Sequence, residues 1–112
     1  MSGEGSPTSK RLEVIERTLG AGSKDPFVWY ARAMELRSLG RGEDALRAFV
    51  ALEAHAANYV PTYLMAAQVA GELGRVAEAR TWCEKGIARA RQSGDSHALS
   101  ELESHLGTLP RA

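Results

Sequence analysis

Apolar residues recur at spacings of three and four along most of this 112-residue chain, with polar residues between them. This spacing places apolar side chains on one face of a helix, whereas a half-buried strand would show a strict alternation that no segment has. The pattern therefore predicts an all-α fold of about six helices. The predicted ranges are about 9–19, 26–40, 43–56, 61–74, 76–91 and 95–106.

Residues that favour helix ends separate these segments. Asp25 can accept hydrogen bonds from free backbone amides, and Pro26 is tolerated in a first turn, so a helix is expected to begin there. Gly40 and Gly74 are expected to end helices, since glycine adopts the left-handed conformation of many helix C-termini. The Gly/Ser/Pro-rich residues 1–8 predict a disordered N-terminal tail. Short links between the helices predict antiparallel neighbours.

Five positions recur with a period of 34 residues, which predicts two copies of one supersecondary unit. The copies span residues 26–59 and 60–93, with a leading helix over 9–20 and a C-terminal capping helix over 95–107. A unit that cannot bury its apolar face alone must stack on its neighbour. The recurring residues are Trp29, Ala33, Gly40, Ala45 and Phe49, followed by Tyr63, Ala67, Gly74, Ala79 and Cys83.

Composition and charge narrow the class of partner. The 14 basic and 14 acidic residues cancel, and non-specific binding to nucleic acid or to an anionic membrane needs an excess of positive charge. No apolar run approaches the ~20 residues that span a bilayer, and the N-terminus lacks the apolar core of a signal peptide. A single cysteine, Cys83, excludes an internal disulfide. We therefore expect a cytoplasmic protein that binds neither nucleic acid nor membrane.

The repeated residues resemble the tetratricopeptide repeat, whose pattern is W-x2-L-G-x2-Y followed by A-x3-F. In the first copy Trp29, Ala33 and Leu36 match its first part, while Arg32 stands where the family has leucine. The resemblance implies a right-handed stack of antiparallel helix hairpins, an α-solenoid. It also implies a concave face formed by the first helix of each pair.

The resemblance further implies that this concave face binds a peptide or an amphipathic helix of a partner protein, as an adaptor or assembly factor. The positions that match the face form an apolar floor with a few polar points. They are Phe27, Tyr30, Met34, Arg37, Leu64, Met65, Gln68 and Gly71, which Ala98, Leu102 and His105 of the cap extend. One alternative stays open, in which the first or last helix of the same chain covers this apolar floor.

A second hypothesis is a structural module that associates with itself. Short repeat arrays leave their end helices exposed, and leucines at helical spacing near the C-terminus could pack against a second copy, giving a homodimer. These leucines are Leu99, Leu102, Leu106 and Leu109.

The histidines, the cysteine and the glycines could in principle serve catalysis or bind a metal or cofactor, but their spacing favours neither an enzyme nor a cofactor-binding protein. His97 and His105 lie eight positions apart on one predicted helix, two turns rather than one, and His55 belongs to another helix, so we expect solvent-exposed histidines. Cys83 replaces an aromatic residue of the repeat and is expected to be a small buried hydrophobe. The glycines stand singly at helix ends rather than in a phosphate-binding loop.

The fifth predicted helix has a basic outer side, which is interpreted as a solvated surface rather than a nucleic-acid site. Docking to an acidic protein stays open as the alternative. Binding to single-stranded nucleic acid needs aromatic residues between the basic ones, and Trp82 is the only candidate. The basic residues are Arg75, Arg80, Lys85, Arg89 and Arg91.

Overall fold

The computed structural model describes residues 6–111 and folds them into six helices without a strand. The predicted all-α fold is confirmed, and the helices begin and end within two residues of the predicted positions. The predicted disordered tail lies mostly outside the described residues. The helices are α1 (Lys10–Gly20), α2 (Pro26–Ser38), α3 (Gly42–His55), α4 (Pro61–Glu72), α5 (Val76–Ser93) and α6 (Ser96–Thr108).

Local hydrogen bonds explain where the helices begin and end. The side chains of Ser9, Asp25 and Asp95 each accept a hydrogen bond from a backbone N–H in the first turn of α1, α2 and α6, at 3.0 Å in each case. Such caps each contribute about 1 kcal/mol. After α2 and α4, Gly40 and Gly74 have φ angles of 75° and 77°, which other residues rarely adopt. The recurring glycines therefore mark equivalent helix ends in the two copies.

The helices pack as a stack of two hairpins flanked by single helices. α2 packs against α3, and α4 packs against α5, while α3 also contacts α4 and so joins the hairpins. α1 packs against α2, and α6 packs against both α4 and α5. The first helices of the pairs also contact each other, α2 with α4 and α4 with α6. The stack thus has one side formed by α2, α4 and α6.

Small residues lie where the paired helices meet, as the repeat pattern predicts. Ala33 and Ala45 in the first hairpin, and Ala67 and Ala79 in the second, have no exposed surface. Larger side chains would force the helices apart, at a cost of about 1–3 kcal/mol. The repeat aromatics Phe49 and Tyr63 pack against the partner helix of their own hairpin, and the fully buried Tyr63 donates a hydrogen bond from its hydroxyl to the carbonyl of Ala57 at 2.6 Å. The buried hydroxyl group therefore has a hydrogen-bond partner.

The two tryptophans lie in different environments. Trp29 is half-buried, its ring stacks on His55 with the ring centroids 4.3 Å apart, and its indole N–H donates to the Ser23 carbonyl. Trp82 was assigned to the basic outer side but is only 6% exposed and lies against Tyr63, with ring centroids 6.0 Å apart. The side of α5 that faces the core is therefore wider than the apolar pattern indicated.

One surface ion pair predicts a pH dependence of stability. Hydrogen bonds from Arg47 and Arg41 lower the pKa of Asp44, and the Arg41 Nε to Asp44 Oδ2 distance is 2.9 Å. A carboxyl group with a lowered folded-state pKa stabilises the fold above its unfolded pKa of about 3.9, and this contribution is lost as the pH falls through the folded pKa. We expect Asp44→Asn to destabilise the protein at pH 7 but much less at pH 3, as measured by urea unfolding. An equal loss at both pH values would contradict this account.

Candidate functional site

The structure places on α2 and α4 the eight residues that are predicted to form the concave face ahead of the cap. Together with α6 these helices form one side of the stack, which we call the inner face. This face has two apolar depressions, and a group of polar side chains connects α2 with α4 beside them. These residues are Phe27, Tyr30, Met34 and Arg37 on α2, and Leu64, Met65, Gln68 and Gly71 on α4.

The first depression, between α1 and α2, has a volume of about 290 Å³. Phe27, Tyr30 and Met34 line it from α2, and Ile15 lines it from α1. Phe27 remains 59% exposed, so α1 forms a wall of this depression and does not cover it. At the rim, Glu35 accepts a hydrogen bond from the Ser9 hydroxyl at 2.8 Å and pairs with an arginine of α1.

The second depression, the α4–α6 cleft, has a volume of about 250 Å³. Leu64 and Met65 are half-buried on its α4 side. Here α6 forms a wall, so the end helix shapes the cleft and leaves these side chains accessible. Its complete lining is Tyr30, Val60, Pro61, Leu64, Met65, Asp95, His97, Ala98, Glu101 and Leu102.

Tyr30 lies between the two depressions and lines both of them. Its ring packs against Phe49 in the core, with centroids 6.3 Å apart, and against Tyr59, with centroids 5.7 Å apart. Burial raises the pKa of Tyr30, Tyr59 raises it further, and Arg37 opposes them. The hydroxyl group therefore stays protonated at neutral pH and remains a hydrogen-bond donor on an otherwise apolar surface.

The predicted polar points form a bridge between α2 and α4. Arg37 Nη1 donates to Gln68 Oε1 at 3.0 Å and lies 3.7 Å from the sulfur of Met65. The other guanidinium nitrogen of Arg37 pairs with Glu72. The bridge joins α2 to α4, and because Glu72 pairs with Arg37 it offers no uncompensated positive charge to a ligand.

The cap residues differ in their contribution. Ala98 lines the α4–α6 cleft, whereas Leu102 touches it but is only 1% exposed and belongs mainly to the core. His105 was predicted to be exposed but is half-buried, because it lies three residues after Leu102 on the same side of the helix. Neither His105 nor Gly71 lines either depression.

Five residues that line the cleft are not among those predicted from the sequence. Val60 and Pro61 precede or begin α4, and Asp95 caps α6, so their only sequence signal was that of a helix start. Glu101 lies on the polar side of the apolar pattern of α6, and His97 is predicted only as a solvent-exposed histidine. Their proximity depends on how α4 packs against α6, which no local pattern records.

The remaining candidate residues are the cysteine and two of the histidines. Cys83 is fully buried, as predicted, and burial is the main reason that its pKa is raised, so the thiolate is disfavoured. His55 Nε2 lies 2.8 Å from the Lys24 carbonyl, and His97 is exposed. Within residues 6–111, no three or more His, Cys, Asp or Glu residues are grouped so that they could hold a metal ion.

Acidic residues of neighbouring helices neutralise much of the basic outer side of α5. Lys85 Nζ lies 2.9 Å from a carboxylate oxygen of Glu53, and Arg75 pairs with Glu43. The only aromatic residue there, Trp82, is buried. In the described part of the chain, none of the helices has both the length and the apolar character needed to cross a lipid bilayer.

Two solved structures are similar to this arrangement. A crystal structure of a tetratricopeptide repeat domain protein from Salinibacter ruber is 33% identical, with 73% of this chain and 91% of that chain covered and a TM-score of 0.68. A solution NMR structure of a tetratricopeptide repeat domain protein from the same organism is 30% identical, with 79% and 93% covered and a TM-score of 0.73. No family model and no curated protein matches the chain.

Proposed function

Because this chain belongs to the tetratricopeptide repeat family, we propose that it is a non-enzymatic module that binds a partner protein on its inner face. Repeat folds of this kind present extended surfaces to other proteins. The occupant would be a peptide or an amphipathic helix, and the module would act as an adaptor or assembly factor.

The observation that carries this proposal is the apolar surface left open at two neighbouring depressions. Phe27 is the most exposed large apolar side chain in the described residues, and it lines the first depression. Leu64 and Met65 line the second, and methionine adapts readily to irregular partner surfaces. Apolar surface in a concave site typically marks a place where another molecule binds.

Replacing Phe27 and Leu64 together by glutamate is expected to abolish partner binding. Carboxylates at both depressions would have to be desolvated on binding, and losing central apolar contacts typically costs 2 kcal/mol or more. We expect captured partner to fall roughly 30-fold or more. The immobilised wild type and variant would be incubated with lysate of the source organism, and the bound proteins quantified by mass spectrometry. Tyr30 is left unchanged because it also supports the core.

A matched control variant replaces Val14 and Val50 by glutamate. These valines are 51% and 53% exposed and line neither depression. The control therefore adds the same two negative charges as the inner-face variant, but away from the proposed site. Circular dichroism should show equal helical content for all three proteins. A partner that the inner-face variant still captures would contradict the proposal. A partner lost equally by both variants would also contradict it, because the loss would then not depend on the inner face. Capture of the chain alone would favour the self-associating alternative.

That alternative, a homodimer formed through the end helices, would use leucines that already pack inward. Leu102 is almost completely buried, and the other three leucines are half-buried against the core of their own chain. The inner face, by contrast, includes Phe27, which is 59% exposed, whereas each of these leucines is buried or half-buried. The inner face is the stronger candidate for this reason. The other three leucines are Leu99, Leu106 and Leu109.

A further inference from the structure

Charge is separated across the stack although the chain has no net charge. α4 and α6 contain no lysine or arginine, and their charged residues are Glu72, Glu101 and Glu103. α5, on the opposite side, holds four basic residues and two acidic ones. Two of the three helices that form the inner face are thus acidic, and the α4–α6 cleft lies between them.

The mouth of the cleft is negative. Asp95 and Glu101 contribute two carboxylates to its lining, which includes no lysine or arginine. His97 Nε2 lies 3.4 Å from a Glu101 oxygen, but both side chains are at least half exposed, so Glu101 is accessible to a ligand. Arg11 of α1, which lines the first depression, and Arg37 of α2 are each paired with a carboxylate.

The N-terminus of α6 opposes this negative charge only in part. Its free amides are equivalent to about half a positive charge. Asp95 already satisfies one of them, because Oδ1 accepts from the Ala98 N–H at 3.0 Å. A full carboxylate charge outweighs the helix dipole, and Glu101 adds a second. The local potential therefore favours a cation and disfavours a carboxylate.

The cleft has the size of a side-chain pocket. Its volume of about 250 Å³ lies below the roughly 300–1,000 Å³ of typical small-molecule sites. Tyr30, Leu64 and Met65 give it apolar walls. A large apolar side chain of a protein segment fits this combination of size and polarity, with a basic group at the rim.

We propose that the α4–α6 cleft binds a partner segment that places a large apolar side chain between α4 and α6 and a lysine or arginine against Asp95 and Glu101. This proposal rests on the protein-binding function of the inner face and specifies the chemistry of the partner. Segments with acidic flanks, or with a C-terminal carboxylate at this position, are disfavoured by the same charges.

Selection from a phage-displayed library of random 12-residue peptides tests this chemistry. Peptides enriched on the wild type should contain lysine or arginine next to a large apolar residue. For the most enriched peptide, labelled with fluorescein, fluorescence anisotropy gives the Kd. Asp95→Asn and Glu101→Gln should each raise the Kd about two- to fivefold, and the double variant about tenfold, as expected for exposed ion pairs. High salt should weaken binding to the wild type more than to the double variant.

The variants are chosen to keep the fold. Asparagine retains the capping oxygen at position 95, and glutamine retains the size of Glu101. Glu84→Gln on α5 is the matched control and should leave the Kd unchanged. Enrichment of acidic or uncharged peptides, failure to enrich any peptide, or an unchanged Kd in the double variant would overturn the proposal. Lysate capture that still depends on Phe27 and Leu64 would then leave the proposed function standing.

Discussion

Replacing Phe49 by alanine is expected to lower the free energy of unfolding by about 3–5 kcal/mol. Phe49 has no exposed surface and lies at the aromatic position of the first repeat, where α3 packs against α2. Removing the ring loses its apolar transfer energy and leaves a cavity that the rigid helix pair can only partly close. The loss is a large fraction of the 5–15 kcal/mol typical of such domains.

Urea unfolding monitored by circular dichroism measures this effect, with Val50→Ala as the control. Val50 is the next residue in α3 but is 53% exposed, so its truncation should change stability by no more than about 0.5 kcal/mol. Equal losses in the two variants would contradict the assignment of Phe49 to the core. Tyr30 rests on Phe49, so Phe49→Ala should also loosen the inner face.

The fold could be predicted because its strongest constraints are local and occur twice. Ala33 and Ala45 are small because two helices meet there, and the same steric demand returns at Ala67 and Ala79. Gly40 is required by a positive φ angle at a helix end, where the second copy also has a glycine. Constraints of this type act within one hairpin, so they leave a signal in sequence spacing.

Packing between hairpins is less visible in the sequence pattern than packing within a hairpin. α4 contacts α2, α3, α5 and α6, so it is buried on more than one side, while its residues on the inner face stay half-buried. Thr62, Ala66 and Val69 are therefore fully buried, although they lie outside the single apolar face that the pattern indicated. Trp82 was misplaced for the same reason, because α5 packs against both α4 and α6.

The candidate site was predictable only in part for the same physical reason. The residues of α2 and α4 follow from the repeat register, which fixes the side of each helix that faces away from its partner. The carboxylates of the cleft come from α6 and its N-cap, outside the repeat. Asp95 and Glu101 reach the cleft through the packing of α6 on α4, so their contribution required the structure.

Replacing Gly86 by alanine is expected to lower the free energy of unfolding by about 1–3 kcal/mol, although alanine favours helices by about 1 kcal/mol over glycine. A Cβ atom on Gly86 would lie 2.5 Å from the Cβ of Tyr63 and 3.0 Å from both δ-carbons of Leu102. The Tyr63 atom is fixed to its backbone and cannot turn away. α4 or α6 must therefore move relative to α5.

Gly71→Ala in α4 separates this steric effect from helix propensity. A Cβ at Gly71 meets no atom within 4 Å, so this variant should be up to about 1 kcal/mol more stable than the wild type. Thermal and urea unfolding of both variants measure the contrast, and a Gly86→Ala protein as stable as Gly71→Ala would contradict it.

Because Leu102 also lines the α4–α6 cleft, the displacement in Gly86→Ala should weaken binding of the selected peptide without removing any residue that contacts it. Gly86 thus couples the packing of three helices to the shape of the candidate site.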